Sequence, residues 1–375
     1  MIGEGSIPQS QGEIVVERIR VLLLIPRLGT GGAEQVMALV AKGLSREKFE
    51  VHLGLVTACD AVTDRLPSWL KVYALGATRA RAGAFGLLEL VWQIRPDVIL
   101  SGAAQISFLT LLVRPLFPPK TRVLVRQNGT VSSALRFGSV PGYTRLLYRL
   151  LYRRADKVIC QSGAMAEDLA RELGMDSKQI SVLANPVDLE GIRSAMEKPV
   201  GRADAGPHLL AVGRLTWEKG FDLLLRAFAA VPKRFPHADL TIAGAGQEEA
   251  ELKTLCKRLG LEDRVKFAGH VSHVYALFPG ATVFVLSSRY EGMPNALLEA
   301  AAAGLPLVAT PASGGIVELL GSGRGSWLAD EITAEALGTA MIGALEKILP
   351  GERFCHAFFP SAHAQATKAV SYGAE

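Results

Sequence analysis

The chain reads as an α/β protein of two successive nucleotide-binding-type domains, each a parallel sheet covered by helices. Three observations carry that expectation. Short leucine-rich or β-branched runs alternate with helical segments through both halves. A glycine cluster, Gly29-Thr30-Gly31-Gly32, directly follows the first such run. Residues 189–206, with proline and glycine and no clear periodicity after Ala195, divide the alternation in two.

Arg20–Pro26 (RVLLLIP) is the first expected strand, and the helix behind the glycine loop runs from Ala33 to about Leu44. Strand, glycine loop and helix open a nucleotide-type unit, although the spacing is not the GxGxxG of a dinucleotide site. A plain tight turn needing glycine at positive φ is the alternative. Strands follow at Val51–Thr57, Val72–Leu75, Asp97–Ser101, Thr121–Gln127, Lys157–Gln161 and Ile180–Leu183, with helices at 83–94, 104–113 and 163–173. Alternation at this spacing requires a parallel sheet covered on both faces. Past the divide, strands are expected at His208–Val212, Asp239–Ala243, Val265–Ala268, 282–287, Leu305–Thr310 and near 325–328. Helices at 220–231, 247–259, near 273–278, at Asn295–Ala303 and at 333–348 alternate with them. The expected organisation is a leader at 1–17, a first domain at 18–188, a linker at 189–206 and a second domain at 207–350. The tail, 351–375, is expected to return to the first domain as a last helix.

Composition excludes several classes. Hydrophobic residues make up 49% and charged residues 21%, which is globular rather than disordered. The four cysteines, Cys59, Cys160, Cys256 and Cys355, are scattered without a CxxC pair, as expected of buried thiols in a reducing compartment. The opening residues carry acids and no apolar core, unlike a signal peptide. The most apolar window, Val98–Val113, is too short and too polar to span a membrane. A cytoplasmic location follows. The net charge of +5 is unevenly placed: no acid occurs between Asp97 and Asp156, where nine Arg and Lys lie. Such a block suits an anionic partner. No DNA or RNA module is visible, so nucleic acid is not expected.

The stretch Ser288–Thr310 concentrates the chemistry. Gly292 and Pro294 open a helix of good formers, Asn295–Ala303, and Gly304 stops it. Glu291 at the turn and Glu299 inside the helix are just over two helical turns apart. Between them the free N–H groups of Met293 to Ala296 suit a phosphate. An anion flanked by two carboxylates describes a nucleotide-sugar, its diphosphate central and its ribose and hexose hydroxyls at the ends. The alternative is that both are ordinary solvated glutamates. Arg214 and Lys219 sit on the loop after the first strand of the second half, where α/β sheets bind ligands. Arginine forks two phosphate oxygens and lysine supplies a point charge.

The segment EGMPNALLE, with SRYEGMP around its start and EAAAAGLPLVAT at its end, resembles the E-x7-E signature of retaining GT-B glycosyltransferases, glycosyltransferase family 4. GRLTWEKG at 213–220 and GGAE at 31–34 match the same family, so the resemblance covers nearly the whole chain. It implies the GT-B fold, two Rossmann-like domains facing across a cleft. It also implies a retaining hexosyltransferase using a nucleotide-sugar, with UDP preferred over GDP by likeness to the GGAE/EGMPNALLEA subgroup. Gly31 and Gly32 would lie under the diphosphate, Arg214 and Lys219 against it, and His270 and Val271 near the base. Glu291, Gly292, Met293, Pro294 and Asn295 would meet the transferred sugar and diphosphate, and Glu299 the ribose. Glu291, Arg214 and Lys219 are the expected catalytic residues, attack being front-face. No cofactor or metal is expected, because cations and helix dipoles oppose the leaving charge and no Asp-x-Asp motif occurs.

Two departures accompany the resemblance. Asn185-Pro186-Val187-Asp188 has Pro where the family's Asn-Gly-Val-Asp turn has Gly. Arg126-Gln127-Asn128, on the acceptor side, carries amides where many members place a His, and an amide is no general base. Arg126 is either an acceptor-phosphate ligand or a core-edge arginine. The acceptor would be a glycan or a polyprenyl-diphosphate-linked sugar in cell-surface polysaccharide or glycoconjugate synthesis. The basic segment Arg136–Arg154 places Leu146, Leu147, Leu150 and Leu151 on one helical face with Arg145, Arg149 and Arg153 interleaved. It lies either on anionic membrane, at the inner face of the cytoplasmic membrane, or in the core with its arginines reaching outward. Two rival functions remain: a UDP-sugar 2-epimerase of the same fold, and a non-catalytic nucleotide-sugar-binding component.

Overall fold

The computed structural model describes residues 18–27, 31–57, 66–76, 83–136, 143–198, 206–321, 323–348, 352–354, 356, 367–368 and 370. The leader 1–17, Gly29–Thr30 of the glycine loop, 137–142 of the basic segment and most of the tail lie outside the described residues.

Seven parallel strands form the first sheet: β1 (Ile19–Ile25), β2 (Phe49–Leu55), β3 (Lys71–Ala74), β4 (Val98–Ser101), β5 (Arg122–Arg126), β6 (Lys157–Cys160) and β7 (Ile180–Val182). Their order is β3-β2-β1-β4-β5-β6-β7, so the chain reverses direction across the sheet beside β1. Val21 stands opposite Val51 on one side and Val98 on the other, and the β1 side chains from Val21 to Ile25 are buried. A central strand buried on both faces needs such an unbroken apolar run. The helices of this half are α1 (Gly32–Gly43), α2 (Ala84–Ile94), α3 (Ala104–Val113), α4 (Val131–Arg136), α5 (Thr144–Tyr152) and α6 (Gly163–Leu173). Side chains of α2, α3, α5 and α6 cover one face, and α1 covers the other. Val370, fully buried, joins the α1 face.

A helix, α7 (Leu189–Met196), occupies the first part of the stretch expected to be the linker, up to where periodicity fades after Ala195. Asp188 caps it by accepting from Gly191 N–H at 3.0 Å, and Ile192 is buried with Leu189 and Met196 packed beside it. These three positions recur at helical spacing, a signal hidden by the proline and glycines that follow. The second sheet then runs β8 (His208–Val212), β9 (Asp239–Ala243), β10 (Val265–Gly269), β11 (Val283–Leu286), β12 (Leu307–Ala309) and β13 (Ser326–Leu328). Its order is β10-β9-β8-β11-β12-β13, again parallel, with the reversal beside β8. Here α8 (Phe221–Phe228), α9 (Glu249–Arg258) and α12 (Ala334–Lys347) pack on one face. On the other lie α7, α10 (Asn295–Ala302) and α11 (Gly314–Leu320). The sequence reading missed α11, whose N-cap Ser313 is followed by two glycines that lower helix propensity. Of the four cysteines, Cys160 and Cys256 are buried free thiols, while Cys59 and Cys355 lie outside the described residues.

Of the two orientations left open for the basic helix α5, the one that buries its leucine face in the core is not adopted. Thr144, Tyr148, Leu151 and Tyr152 face the core, whereas Leu146 and Leu150 are 58% and 59% exposed beside the arginines. The tyrosines win the inward stripe because both rings pack on Phe108 of α3, Tyr148 edge-on at 4.9 Å between ring centres. No helix among the described residues is long and apolar enough to cross a membrane.

Candidate active site

In both sheets the strand order reverses between two neighbours, and the loops leaving their carboxyl ends diverge to open a crevice. For the second sheet those strands are β8 and β11. The loop after β8 carries Arg214 and Lys219; the loop after β11 carries Ser288 and Glu291. The fold therefore brings together residues 72 positions apart: Lys219 Nζ donates to Glu291 Oε1 at 2.5 Å, and Ser288 Oγ to the same oxygen at 2.7 Å. Ser287 Oγ donates to Lys219 O at 2.9 Å, and Arg289 forks Asp222 at 2.8 and 2.7 Å. These bonds lock one loop on the other. Gly220, at φ +62°, lies so close to the Ser287 carbonyl that a Cβ there would collide with it.

Asn295, the first residue of α10, faces the first half. Its amide donates to Gly32 O at 2.9 Å and accepts from Asn185 Nδ2 at 2.6 Å. Asn185 in turn accepts from Arg126 Nη2 at 2.6 Å, Arg126 Nη1 donates to Asn128, and Asn128 Nδ2 donates to Gly102 O at 2.6 Å. One chain of hydrogen bonds thus links the loops after β1, β4 and β5 to the start of α10. Arg126 is buried, and burial pulls its guanidinium down to about 10. Its side-chain partners here are amides, so the cation lacks a compensating charge. Gln127, also buried, accepts from Tyr152 OH at 2.9 Å and donates to Gly129 O at 2.7 Å. Gly292 lies against the same loop: a Cβ there would sit 2.5 Å from Asn128 O. Glu318 of α11 accepts from Ala164 N–H at 2.7 Å and Gly163 N–H at 3.2 Å, a carboxylate at the N-terminus of α6.

The remaining predicted residues stand differently. Arg214, on the Lys219 loop, is exposed and reaches Glu218 Oε1 at 3.3 Å. Glu299, one face deeper in α10, accepts from Tyr275 OH at 3.4 Å. Burial, with Asp188 adding repulsion and the Tyr275 bond opposing, pushes its carboxyl up to about 7. Met293 packs toward Gly315, and Pro294 caps α10 with φ −76°. His270 and Val271 follow β10, at the sheet edge two strands from β8. Gly31 is the N-cap of α1. Sequence reasoning did not single out Asn185, Asn295's cross-domain partner, as a site residue, nor Ser288, Tyr275 or Asp188. Ser288 had a usable signal, since it stands at a strand end three residues before Glu291.

Two Rossmann-like parallel sheets presenting their switch-point loops to one another are the GT-B architecture. The overall structure is similar to that of HepE from Anabaena in complex with UDP and glucose, at TM-score 0.73 and 19% identity over 95% of this chain and 98% of that one. It is equally similar to sucrose-phosphate synthase from Thermosynechococcus elongatus, at TM-score 0.74 and 18% identity over 95% of this chain. The family described as Glycosyltransferase Family 4 matches residues 30–190, and that described as Glycosyl transferases group 1 matches residues 193–353. The chain belongs to glycosyltransferase family 4 and is a glycosyltransferase. Among curated relatives, it is 29% identical over 313 residues to the N-acetylgalactosamine-N,N'-diacetylbacillosaminyl-diphospho-undecaprenol 4-alpha-N-acetylgalactosaminyltransferase of Campylobacter jejuni, covering 80% of this chain and 82% of that one. It is 33% identical over 183 residues to the lipopolysaccharide core biosynthesis glycosyltransferase LpsE of Rhizobium meliloti, covering 48% of this chain and 49% of that one.

Proposed function

We propose that the protein is a retaining, metal-independent glycosyltransferase. It moves a hexose or N-acetylhexosamine from a UDP-sugar to a glycan or polyprenyl-diphosphate-linked acceptor, in cell-surface polysaccharide or glycoconjugate synthesis. The observation that carries this reading is the Lys219–Glu291 pair at the second switch point, set opposite the Asn295–Gly32 contact. Departure of UDP places negative charge on the diphosphate and positive charge on the anomeric carbon. Lys219 has three donors, so it holds Glu291 with one and a phosphate oxygen with another. Arg214 swings from Glu218 to the diphosphate, and the α10 amides add their dipole. With these groups opposing the leaving charge, a divalent ion is not needed. Glu291, pinned by Lys219 and Ser288, orients the sugar hydroxyls, while Glu299 takes the ribose.

The likeness to a relative whose name specifies a diphospho-undecaprenol substrate supports a lipid-linked acceptor. UDP in a structurally similar complex supports the donor choice. With Gln127 and Asn128 beside the cleft in place of a base, the departing phosphate takes the acceptor proton. The outward leucines and arginines of α5 support peripheral contact with an anionic membrane. The test is incubation with a panel of UDP- and GDP-sugars and a polyprenyl-diphosphate-linked glycan, with and without a chelator. Sugar transfer from a UDP donor with retained anomeric configuration, unaffected by the chelator, is expected. A 2-epimerised sugar formed without acceptor, or inversion, would refute the reading.

A further inference from the structure

Helix α11 of the second domain meets helix α6 of the first at their opening turns. A Cβ on Gly314 would collide with the Cβ of Ala164, and one on Gly315 would sit 3.0 Å from Ser162 Oγ. Only glycine lets the two backbones approach this closely. These same glycines weaken α11 as a helix, so local stability is given up for the contact. One turn further on, Glu318 reaches across and accepts from Ala164 N–H at 2.7 Å and Gly163 N–H at 3.2 Å. Ser162 Oγ accepts from the next amide, Met165 N–H, at 3.2 Å. The first three amides of α6 are all bonded in this way, two of them by the other domain. The first turn of α6 carries no acid of its own. Glu318 supplies, from the second domain, the negative charge that this end of the helix dipole favours.

The start of α11 also holds the turn that carries Glu291. Ser313, its N-cap, donates from Oγ to Gly292 O at 3.0 Å, and Glu291 N–H donates to Ala312 O at 3.2 Å. Met293 packs beside them, its Cε 2.9 Å from where a Cβ on Gly315 would lie. The turn from Glu291 to Met293 is thus fastened to the segment that docks on α6. Its other side meets the first domain, where a Cβ on Gly292 would sit 2.5 Å from Asn128 O. Where α11 rests on α6 therefore sets how Glu291 faces the first domain. Glu318 itself is exposed, so replacing it removes the bridge without opening a cavity in the core.

We propose that Glu318 is a positioning residue: its bridge to the amides of Gly163 and Ala164 latches the two domains together with the Glu291 turn held against the first. Its effect on catalysis rests on the transfer reaction proposed above, whereas the latch itself does not. The full chain is compared with E318Q, E318A and G314A by small-angle scattering and by transfer kinetics with a UDP-sugar. E318A should enlarge the radius of gyration and lower kcat roughly tenfold, the size of a favourable carboxylate at a helix N-terminus. Its KM for the donor should stay within about twofold, because the donor loops of the second domain are untouched. E318Q, which still accepts a hydrogen bond but has no charge, should fall between E318A and wild type. G314A keeps the carboxylate and drives a methyl into Ala164, and it should lower kcat as well. Alanine is the better helix former, so that loss cannot come from a weakened α11. Wild-type kcat and dimensions in E318A overturn the latch, as does a lowered thermal midpoint with kcat unchanged. If E318A does not fold, G314A decides in its place, and wild-type kcat and dimensions there overturn the latch too. A wild type that transfers no sugar overturns the proposed reaction, and the scattering of E318A against wild type then decides the latch alone.

Discussion

Asn185 donates its side-chain N–H to Asn295 Oδ1 at 2.6 Å, and this bond, with those of Asn295 to Gly32 and of Glu318 to the start of α6, joins the two domains. Asn185 also accepts from Arg126, so a buried cation, an amide and the first residue of α10 form one unit. Asn185→Ala would leave the Arg126 guanidinium with fewer partners. Hydrogen bonds to charged groups contribute about 1.5–3 kcal/mol. The variant should lose stability of about that size in urea unfolding, and Asn295→Ala should lose less because it spares the Arg126 bond.

Lys219 carries two duties in the proposed reaction, holding Glu291 and stabilising the leaving diphosphate. Lys219→Ala should reduce kcat by roughly 10²–10³, the effect of removing one preorganised donor. Glu291→Ala should leave UDP affinity nearly intact in calorimetry while removing transfer. Full transfer by Glu291→Ala would contradict its role in orienting the sugar.

Glu299 gives the fold a pH dependence of known sign. Its carboxyl rises from the ordinary 4.5 to about 7 in the folded chain, so folding favours the protonated form. That contribution is fully present below about pH 4.5 and is lost as pH rises through about 7. Glu299→Gln removes the ionisable group. Its unfolding free energy should exceed that of wild type at pH 8, by up to about 3 kcal/mol, read as a higher thermal midpoint, and the difference should shrink toward pH 4. If the carboxylate holds the ribose, UDP affinity of the wild type should also rise through pH 7, and Glu299→Ala should weaken UDP binding at pH 8.

Leu146 and Leu150 point to solvent, so Leu146→Ser with Leu150→Ser should shift stability by no more than about 0.5 kcal/mol. Vesicle binding should nonetheless fall. Unchanged binding would remove α5 from the membrane contact. Neutralising Arg145, Arg149 and Arg153 together should lower binding in a salt-dependent way.

Much of this protein was legible before any coordinates. The strands and most helices announced themselves because a doubly covered parallel sheet demands continuous apolar runs, and such runs are local. Glycine and proline marked the turns, and EGMPNALLE with GRLTWEKG marked the family. The misses were local too. Ser313 began a helix that two glycines disguised, and Ile192 anchored one inside an apparent linker.

What the chain order alone could not decide was which loops meet. Lys219 reaches Glu291, and Asn185 reaches Asn295, only because β8 lies beside β11 and the two switch points face each other. Strand order is set by packing across the whole sheet, and no run of neighbouring residues encodes it. The same holds for α5, where pairing of Tyr148 and Tyr152 with Phe108 turned Leu146 and Leu150 outward. Helical periodicity offers two candidate faces there, and only the surface waiting on α3 selects between them.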